Sequence, residues 1–363
     1  MRIEDVRTTM VKVPIGRPVK SPVHDTFQSL GCLLVFLDTD EGITGEGLLF
    51  ALKTQWLPVF DTTIQALKEE VLGEDPHCVE RLWEKLWRQI NFYGHEGIVM
   101  FAIAAFDMAC WDILGKAAGK PLYKLLGASR DKVPTYASGG LRMLQTIEEL
   151  AEEAKGFVAK GFRAMKLRIG FPRMDEDVER VRAVRQAIGP EIRLMVDAHQ
   201  GFTVEHAIRL GRKLEELHLT WFEEPVVAWD LEGSAQVAAA LDLPIASGEN
   251  SYARYGFRRM IESKAADILM PDLIRVGGIT ELMKVAHMAE AFDLPVTPHL
   301  FPEESMHVVA SLTNATYVEN MDWFSPLYKE RIVLKDGMIV LPQRPGFGFT
   351  FDPEVIERNR FRE

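Results

Sequence analysis

The chain has 363 residues, a net charge of −11, 47% hydrophobic and 26% charged residues, and three cysteines. That length is more than one small core serves, so two domains, or one barrel with an added cap, are expected of a globular protein. The negative charge argues against a phosphate-binding surface and so against nucleic acid, and Cys32, Cys78 and Cys110 are too few and too scattered for a disulfide framework or a zinc knuckle.

The cysteines read as free thiols of a reducing compartment. No signal-peptide pattern follows Met1, and no apolar run is read as a membrane span, so the expectation is a cytoplasmic protein without a membrane partner. Residues 2–15 (RIEDVRTTMVKVPI) and 32–50 (CLLVFLDTDEGITGEGLLF) alternate and are rich in Val, Ile and Thr, which predicts strands, with a turn at residues 39–42. Residues 55–89 have a helical pattern. Residues 96–119 (EGIVMFAIAAFDMACWDILGKAAG) are apolar on most sides and predict a buried helix ended by Gly119.

From Val133 the pattern becomes regular. Eight short β-rich runs, VPTYAS, AMKLRIG, RLMVDAH, TWFEEP, PIASGE, DILMPDL, PVTPHL and TYVENM, alternate with seven helical stretches such as 175–189 and 277–293. Such alternation predicts parallel strands with right-handed crossovers, and eight units close a barrel. The expected division is an α+β capping domain over residues 1–128, a barrel over 129–330, and a tail over 331–363 that returns to the cap.

Polar residues end these runs. Asp197, Glu223 and Glu249 end three successive strands, one β/α unit apart, which gathers them at the C-terminal rim where barrel enzymes keep their active sites. Three converging carboxylates repel one another unless a cation joins them, and an all-oxygen set suits Mg²⁺. Any one of them alone could instead cap the following helix. The series continues with Asp272, His299 and Glu319. A carboxylate on strand six can hydrogen-bond a histidine on strand seven, fixing its tautomer and raising its basicity, so Asp272 and His299 read as a dyad. Lys166 and Arg168, at alternate positions of one strand, point to the same interior.

The motifs KLR, MVDAHQ, WFEEP, GEN, MPDLIRVGG, HLF and VEN, in this order, resemble those of the enolase superfamily, and of its mandelate racemase subgroup in particular. The resemblance runs nearly end to end. It implies a (β/α)7β TIM-type barrel under an α+β cap, one Mg²⁺ per subunit on Asp197, Glu223 and Glu249, and a homo-oligomer, dimer to octamer. The implied chemistry is removal of a proton α to a carboxylate of a small-molecule acid, with the enediolate stabilised by Mg²⁺ and nearby cations. By the same resemblance Lys166 neutralises the substrate carboxylate and Glu319 hydrogen-bonds one of its oxygens. Substrate choice falls to the cap loops, with Lys20, His24 and Phe27 as candidates.

The chain departs from the subgroup in two places. Arg168 stands where a second lysine is the usual base, and a guanidinium stays protonated. His199 stands where an asparagine is common, facing either substrate or Lys166. A desolvated Lys166 beside Arg168 and Mg²⁺ is expected to have a lowered pKa and so to be a second possible base. With one face of the α-carbon poorly served, dehydration of an acid sugar to a 2-keto-3-deoxy acid is favoured. The alternatives are a 2-hydroxy-acid racemase or epimerase, a sugar-lactone cycloisomerase, and, of another class, an inactive structural relative. Loss of a metal ligand would mark the last, and none is lost.

Overall fold

The computed structural model describes residues 1–361. Strands β1 (Ile3–Val19), β2 (Phe27–Thr39) and β3 (Thr44–Ala51) form an antiparallel sheet in that order, turning at residues 40–43. Helix Leu57–Val71 packs on it, Val79–Gln89 packs against that helix and the next, and Ile98–Ala117 packs on the sheet. The third lies so close to β3 that a Cβ at Gly45 would stand 2.1 Å from the Ala109 carbonyl oxygen, and one at Gly47 would stand 2.5 Å from that of Ala105. The alternating glycines of residues 45–47 are therefore a requirement of helix–sheet contact.

Helix Ile98–Ala117 is the buried helix expected over residues 96–119. It has 20 residues and a mean hydropathy of 1.8, enough by length and composition to cross a membrane, but 72% of its 18-residue apolar window is buried inside this fold. Its buried acids act as fasteners. Asp107 accepts the Thr280 amide at 3.1 Å, and Asp112 accepts the amides of Glu46 and Phe347 at 3.1 Å each. The helix thus ties the cap sheet to the barrel through apolar packing and through buried polar groups that must be satisfied.

Strands β4 (Lys132–Ala137), β5 (Ala164–Arg168), β6 (Arg193–Asp197), β7 (Phe222–Glu223), β8 (Ile245–Ser247) and β9 (Ile268–Leu269) pair in parallel in sequence order. β10 (Val318–Asn320) pairs with β4 and closes the ring. The seventh run forms only isolated bridges, Leu269 to Val296, Asp272 to His299 and Val296 to Ala315, rather than the strand expected over PVTPHL. Pro295 and Pro298 remove two ladder donors there. β7 and β8 are shorter than expected because the chain leaves the ladder at Glu224 (φ 37°) and Gly248 (φ 133°). Inside the ring, Tyr136, Ala164, Met195, Trp221, Ala246 and Met270 form a buried apolar layer, on which the charged residues of the rim stand.

The tail begins with a hairpin, β11 (Val333–Lys335) and β12 (Met338–Val340), whose second strand pairs with β4. It then reaches the cap, where Phe351 meets Phe36 (ring centroids 5.8 Å apart) and the Phe361 amide donates to the Met10 carbonyl at 2.9 Å.

Candidate active site

Strand register places the polar rim. Arg168 is the lateral partner of Asp197, and Asp197 of Glu223, so three charged residues stand side by side on β5, β6 and β7. Alternation along β5 turns Ala164, Lys166 and Arg168 to the barrel interior. Glu249 follows β8, and the backbone bridge between Asp272 and His299 sets these two abreast.

Lys166 is fully buried, with its ammonium 2.5 Å from Glu223 Oε1, 3.0 Å from Glu319 Oε1 and 3.4 Å from Asp197 Oδ2. It also lies 5.5 Å from the centre of the Tyr136 ring. Arg168 donates to Asp197 through Nη1 and to Ser138 Oγ through Nη2 at 3.3 Å. Glu223 has both oxygens engaged, because Trp221 Nε1 donates to Oε2 at 2.9 Å. The two cations of β5 therefore face the chain's own carboxylates.

The expected depression of the Lys166 pKa is not found. Burial alone would lower it, but Glu223, Glu319 and Asp197 outweigh burial and hold it above the ordinary lysine value. Lys166 stands beneath the cavity wall rather than on it, so the structure does not favour it as a base. Glu319 also differs from expectation. It accepts from Ser138 Oγ at 2.6 Å and from the Leu300 amide at 2.9 Å, and it is Ser138 that lines the cavity. Despite burial, the nearby Lys166, His299 and Arg168 hold Glu319 below the usual carboxylate range, so it is ionised and acts as an acceptor.

The dyad is formed. His299 Nδ1 lies 2.7 Å from Asp272 Oδ2, and His299 Nε2, on the cavity side, lies 3.3 Å from Glu249 Oε2. Asp272 Oδ1 also accepts the amides of Ile274 and Arg275 at 3.0 Å each, so the same carboxylate caps a short helix, Leu273–Val276, as well as holding the imidazole. Burial opposes the imidazolium, but Glu249 and Asp272 outweigh it and raise the His299 pKa to about 9. Asp272 stays ionised, since Arg275 and His299 outweigh its burial.

Among the described residues, no three His, Cys, Asp or Glu side chains converge as a ready-made metal site. Asp197 is turned to Arg168, Glu223 to Lys166, and Glu249 to His299. The donor chemistry nonetheless fits a hard divalent ion, since all three are carboxylates on neighbouring barrel units. The local charge points the same way. Burial pushes Glu223 up to about 8, with Asp197 and Glu319 adding to the rise, and it pushes Glu224 well up, with Glu249 the next cause. Carboxyls so strained by burial and by one another would be relieved by a cation.

The cavity above the rim encloses about 700 Å³ counted out to the solvent at its mouth. Arg168, His199, Glu249, His299, His24 and Phe27 all line it. Lys20 does not: it is exposed and lies outside the lining. His199 adopts a left-handed backbone (φ 44°) that its amide stabilises by donating to Asp197 Oδ1 at 2.8 Å. Burial lowers its pKa to about 4, so the ring is neutral near pH 7, and it makes no hydrogen bond to Lys166.

Sequence reasoning missed Glu224, Ser138, Arg142, Arg275 and Trp323. Glu224 had a signal, the doubled acid of WFEEP. Strand alternation alone would send the second acid outward, but the positive φ at Glu224 keeps it inside, where it accepts from Gln200 Nε2 at 2.8 Å. Ser138, Arg142 and Trp323 sit in loops and carried none.

Residues 3–127 match the family described as mandelate racemase / muconate lactonizing enzyme, N-terminal domain, and residues 149–355 match that described as enolase C-terminal domain-like. The chain is 36% identical over 332 residues to an arabinonate dehydratase of Saccharolobus solfataricus, covering 88% of each protein. It is 34% identical over 359 residues to an L-talarate/galactarate dehydratase of Salmonella typhimurium, covering 98% of this chain and 90% of that protein. The crystal structure of an L-talarate dehydratase from Polaromonas sp. JS666 complexed with Mg and L-glucarate superimposes with a TM-score of 0.94 at 34% identity, over 99% of this chain and 98% of that one.

Proposed function

The chain belongs to the mandelate racemase/muconate lactonizing enzyme group of the enolase superfamily, and on that footing we propose that it is a Mg²⁺-dependent acid-sugar dehydratase yielding a 2-keto-3-deoxy acid. Asp197, Glu223 and Glu249 would hold the metal. When bound, Mg²⁺ supplies positive charge to the substrate carboxylate.

The chain's own residues carry the proton transfers. Asp272 accepts the Nδ1 proton of His299, so that once the ring has given up its Nε2 proton the lone pair faces the cavity. Nε2 takes the proton α to the carboxylate. The imidazolium then returns that proton to the departing β-hydroxyl, which leaves as water, and the resulting enol becomes the 2-keto acid. Arg168 offers a fixed cationic donor to substrate oxygen, and Lys166 compensates the carboxylates beneath it.

One observation carries the choice of dehydration over racemisation. Of the cavity-lining side chains, only His299 is held in a dyad that makes it basic. Arg168 is always protonated, and His199 is a neutral ring with a low pKa. A racemase needs a competent base on each face of the α-carbon, whereas a dehydratase needs one group that takes and returns a proton. The test is a screen of aldonates and aldarates with Mg²⁺, assayed for semicarbazide-reactive product. Turnover that stops with EDTA, returns with Mg²⁺ and is lost in His299→Asn is expected. A change of optical rotation without 2-keto product would refute dehydration, and turnover indifferent to EDTA would refute the metal.

A further inference from the structure

Helix Pro302–Ser311 begins directly after His299, Leu300 and Phe301, and it is buried from Pro302 to Ala310. Its first turn holds Glu303 and Glu304, two adjacent buried acids that take no part in the site above. Each grips the segment of residues 321–328, which brings Met321 and Trp323 to the cavity. Ser325 Oγ donates to Glu303 Oε1 at 2.8 Å, and Tyr328 Oη donates to Glu304 Oε1 at 2.7 Å. The other oxygen of each acid, Oε2, is buried and has no hydrogen-bond partner. Aromatic stacking reinforces the joint. Phe301 lies on Phe324, with ring centroids 5.1 Å apart, and Tyr328 lies on Phe351 of the tail at 5.0 Å. The polar hold of the barrel helix on the Trp323 segment thus rests on two hydroxyls and two carboxyls.

The surroundings favour neutral carboxyls. Acidic groups act on the pair or on Tyr328 from three elements, Asp322 on the held segment, Asp112 on helix Ile98–Ala117 and Glu46 on β3. Two cations stand near, and both are committed. Lys116 pairs with Asp112 at 2.5 Å, and Arg331 donates to the carbonyls of Tyr328 and Glu330. Glu330 itself is taken up by Arg344. His307, one turn along the helix, is a neutral ring bonded to Tyr123 and Phe347. Burial raises the Glu303 pKa to about 7, and burial together with the charge of Glu303 raises that of Glu304 to about 8. Both lie above the ordinary value of 4.5, so what the pair contributes to the joint is complete below about pH 4.5 and is lost as pH rises through 7 and 8.

We propose that Glu303 and Glu304 are positioning residues for the Trp323 wall and form a proton-operated latch, shut while both carboxyls keep their protons and open once these are lost to solvent. Two ionised neighbours would still accept the hydroxyls, but each would bury a charge with one oxygen unpaired. The helix cannot yield, because it is buried along its length. The segment over it can, since Asp322 and Pro326 are exposed. Its release admits water to the carboxylates and draws Trp323 away from the cavity. The latch is read from packing and hydrogen bonding, and only its effect on substrate rests on the acid-sugar reading.

Hydrogen–deuterium exchange of the full chain, read by mass spectrometry and corrected for the intrinsic pH dependence, tests the proposal. Protection of residues 321–328 is expected to fall at least about tenfold from about pH 6.5 to about pH 9, while β6 stays protected. In the double variant Glu303→Gln with Glu304→Gln, whose amides mimic the protonated acids, the fall is expected to be less than about twofold. A flat wild-type profile, or the same fall in the double variant, overturns the latch. If the double variant fails to fold, Tyr328→Phe takes its place. With one hydroxyl gone, its segment should already be poorly protected at about pH 6.5, and wild-type protection there overturns the latch. The 2-keto assay tests the link to the wall. The ratio of wild-type to double-variant KM is expected to rise about tenfold over the same range, the His299 titration being common to both and cancelling. A constant ratio beside changing exchange overturns the assignment to the wall and spares the acid-sugar reading. Absence of 2-keto product from every acid sugar overturns that reading, and the exchange profile then decides the latch.

Discussion

Replacing Asp272 with asparagine tests how the dyad works. The carboxylate is fully buried, and both oxygens are engaged, Oδ1 with the amides of Ile274 and Arg275 and Oδ2 with His299 Nδ1 at 2.7 Å. An asparagine can keep the helix cap with its carbonyl oxygen. Its NH₂ then faces Nδ1, which must become an acceptor, and the ring proton moves to Nε2. The cavity-facing nitrogen then has no lone pair to offer. Two effects combine. The rise of His299 from 6.5 to about 9 is worth about 3 kcal/mol of imidazolium stabilisation net of burial, and Asp272 is second to Glu249 among its causes. Losing the carboxylate removes its hydrogen bond and its charge from that rise, which weakens the base. The tautomer change is larger, since an amide behind a catalytic histidine costs about 10⁴ in kcat where it has been isolated. The expected result for Asp272→Asn is a kcat about 10³- to 10⁴-fold lower with KM within about threefold, and an acidic limb of the pH profile displaced downward. Steady-state formation of 2-keto product gives kcat and KM, ¹H NMR in D₂O gives α-proton exchange, and circular dichroism checks the fold. A kcat within tenfold of wild type, or exchange retained while dehydration is lost, would falsify the assignment of His299 as the base.

Two further outcomes are expected. Arg168→Lys loses the planar fork that spans Asp197 and Ser138, so substrate binding should weaken about tenfold in KM, with no new exchange of the α-proton; racemase-like exchange in this variant would make the position a latent base. His307 is fully buried, accepts the Tyr123 amide at Nδ1 (3.1 Å) and donates from Nε2 to the Phe347 carbonyl (2.9 Å), and burial lowers its pKa to about 4. Its folded pKa lies below the unfolded value near 6.5, so its contribution is complete above about pH 6.5 and is lost as pH falls through 4, about 3 kcal/mol in all. Urea midpoints measured between pH 7 and 4 should therefore fall more steeply in wild type than in His307→Gln, and parallel curves would count against a neutral buried ring.

The parts legible in the sequence are those that repetition fixes. One polar residue at the end of each apolar run, repeated at barrel spacing, is a pattern that strand geometry converts directly into a rim. Asp197, Glu223, Asp272 and His299 lie where that pattern puts them. Illegible were the features set by backbone exceptions and by loops. Glu224 turns inward only because its φ is positive, and Arg142 and Trp323 reach the cavity from segments with no period to read. The apolar run of residues 98–117 folds as the buried helix expected of it, with Asp107 Oδ2 and both oxygens of Asp112 accepting backbone amides inside the fold.

The arginine that deviates from the subgroup's pattern at position 168 has an electrostatic logic. Lys166 alone is within 3.4 Å of three carboxylates, Asp197, Glu223 and Glu319. A second lysine at position 168 would have to lose its proton to serve as a base, and that would leave those buried acids short of compensating charge. An arginine there cannot be deprotonated, so it keeps Asp197 paired throughout a reaction cycle. On the proposed reading, a fixed cation at position 168 leaves proton transfer to His299, and a single histidine that takes a proton from one carbon and returns it to the hydroxyl on the next suits a dehydratase better than a two-base racemase.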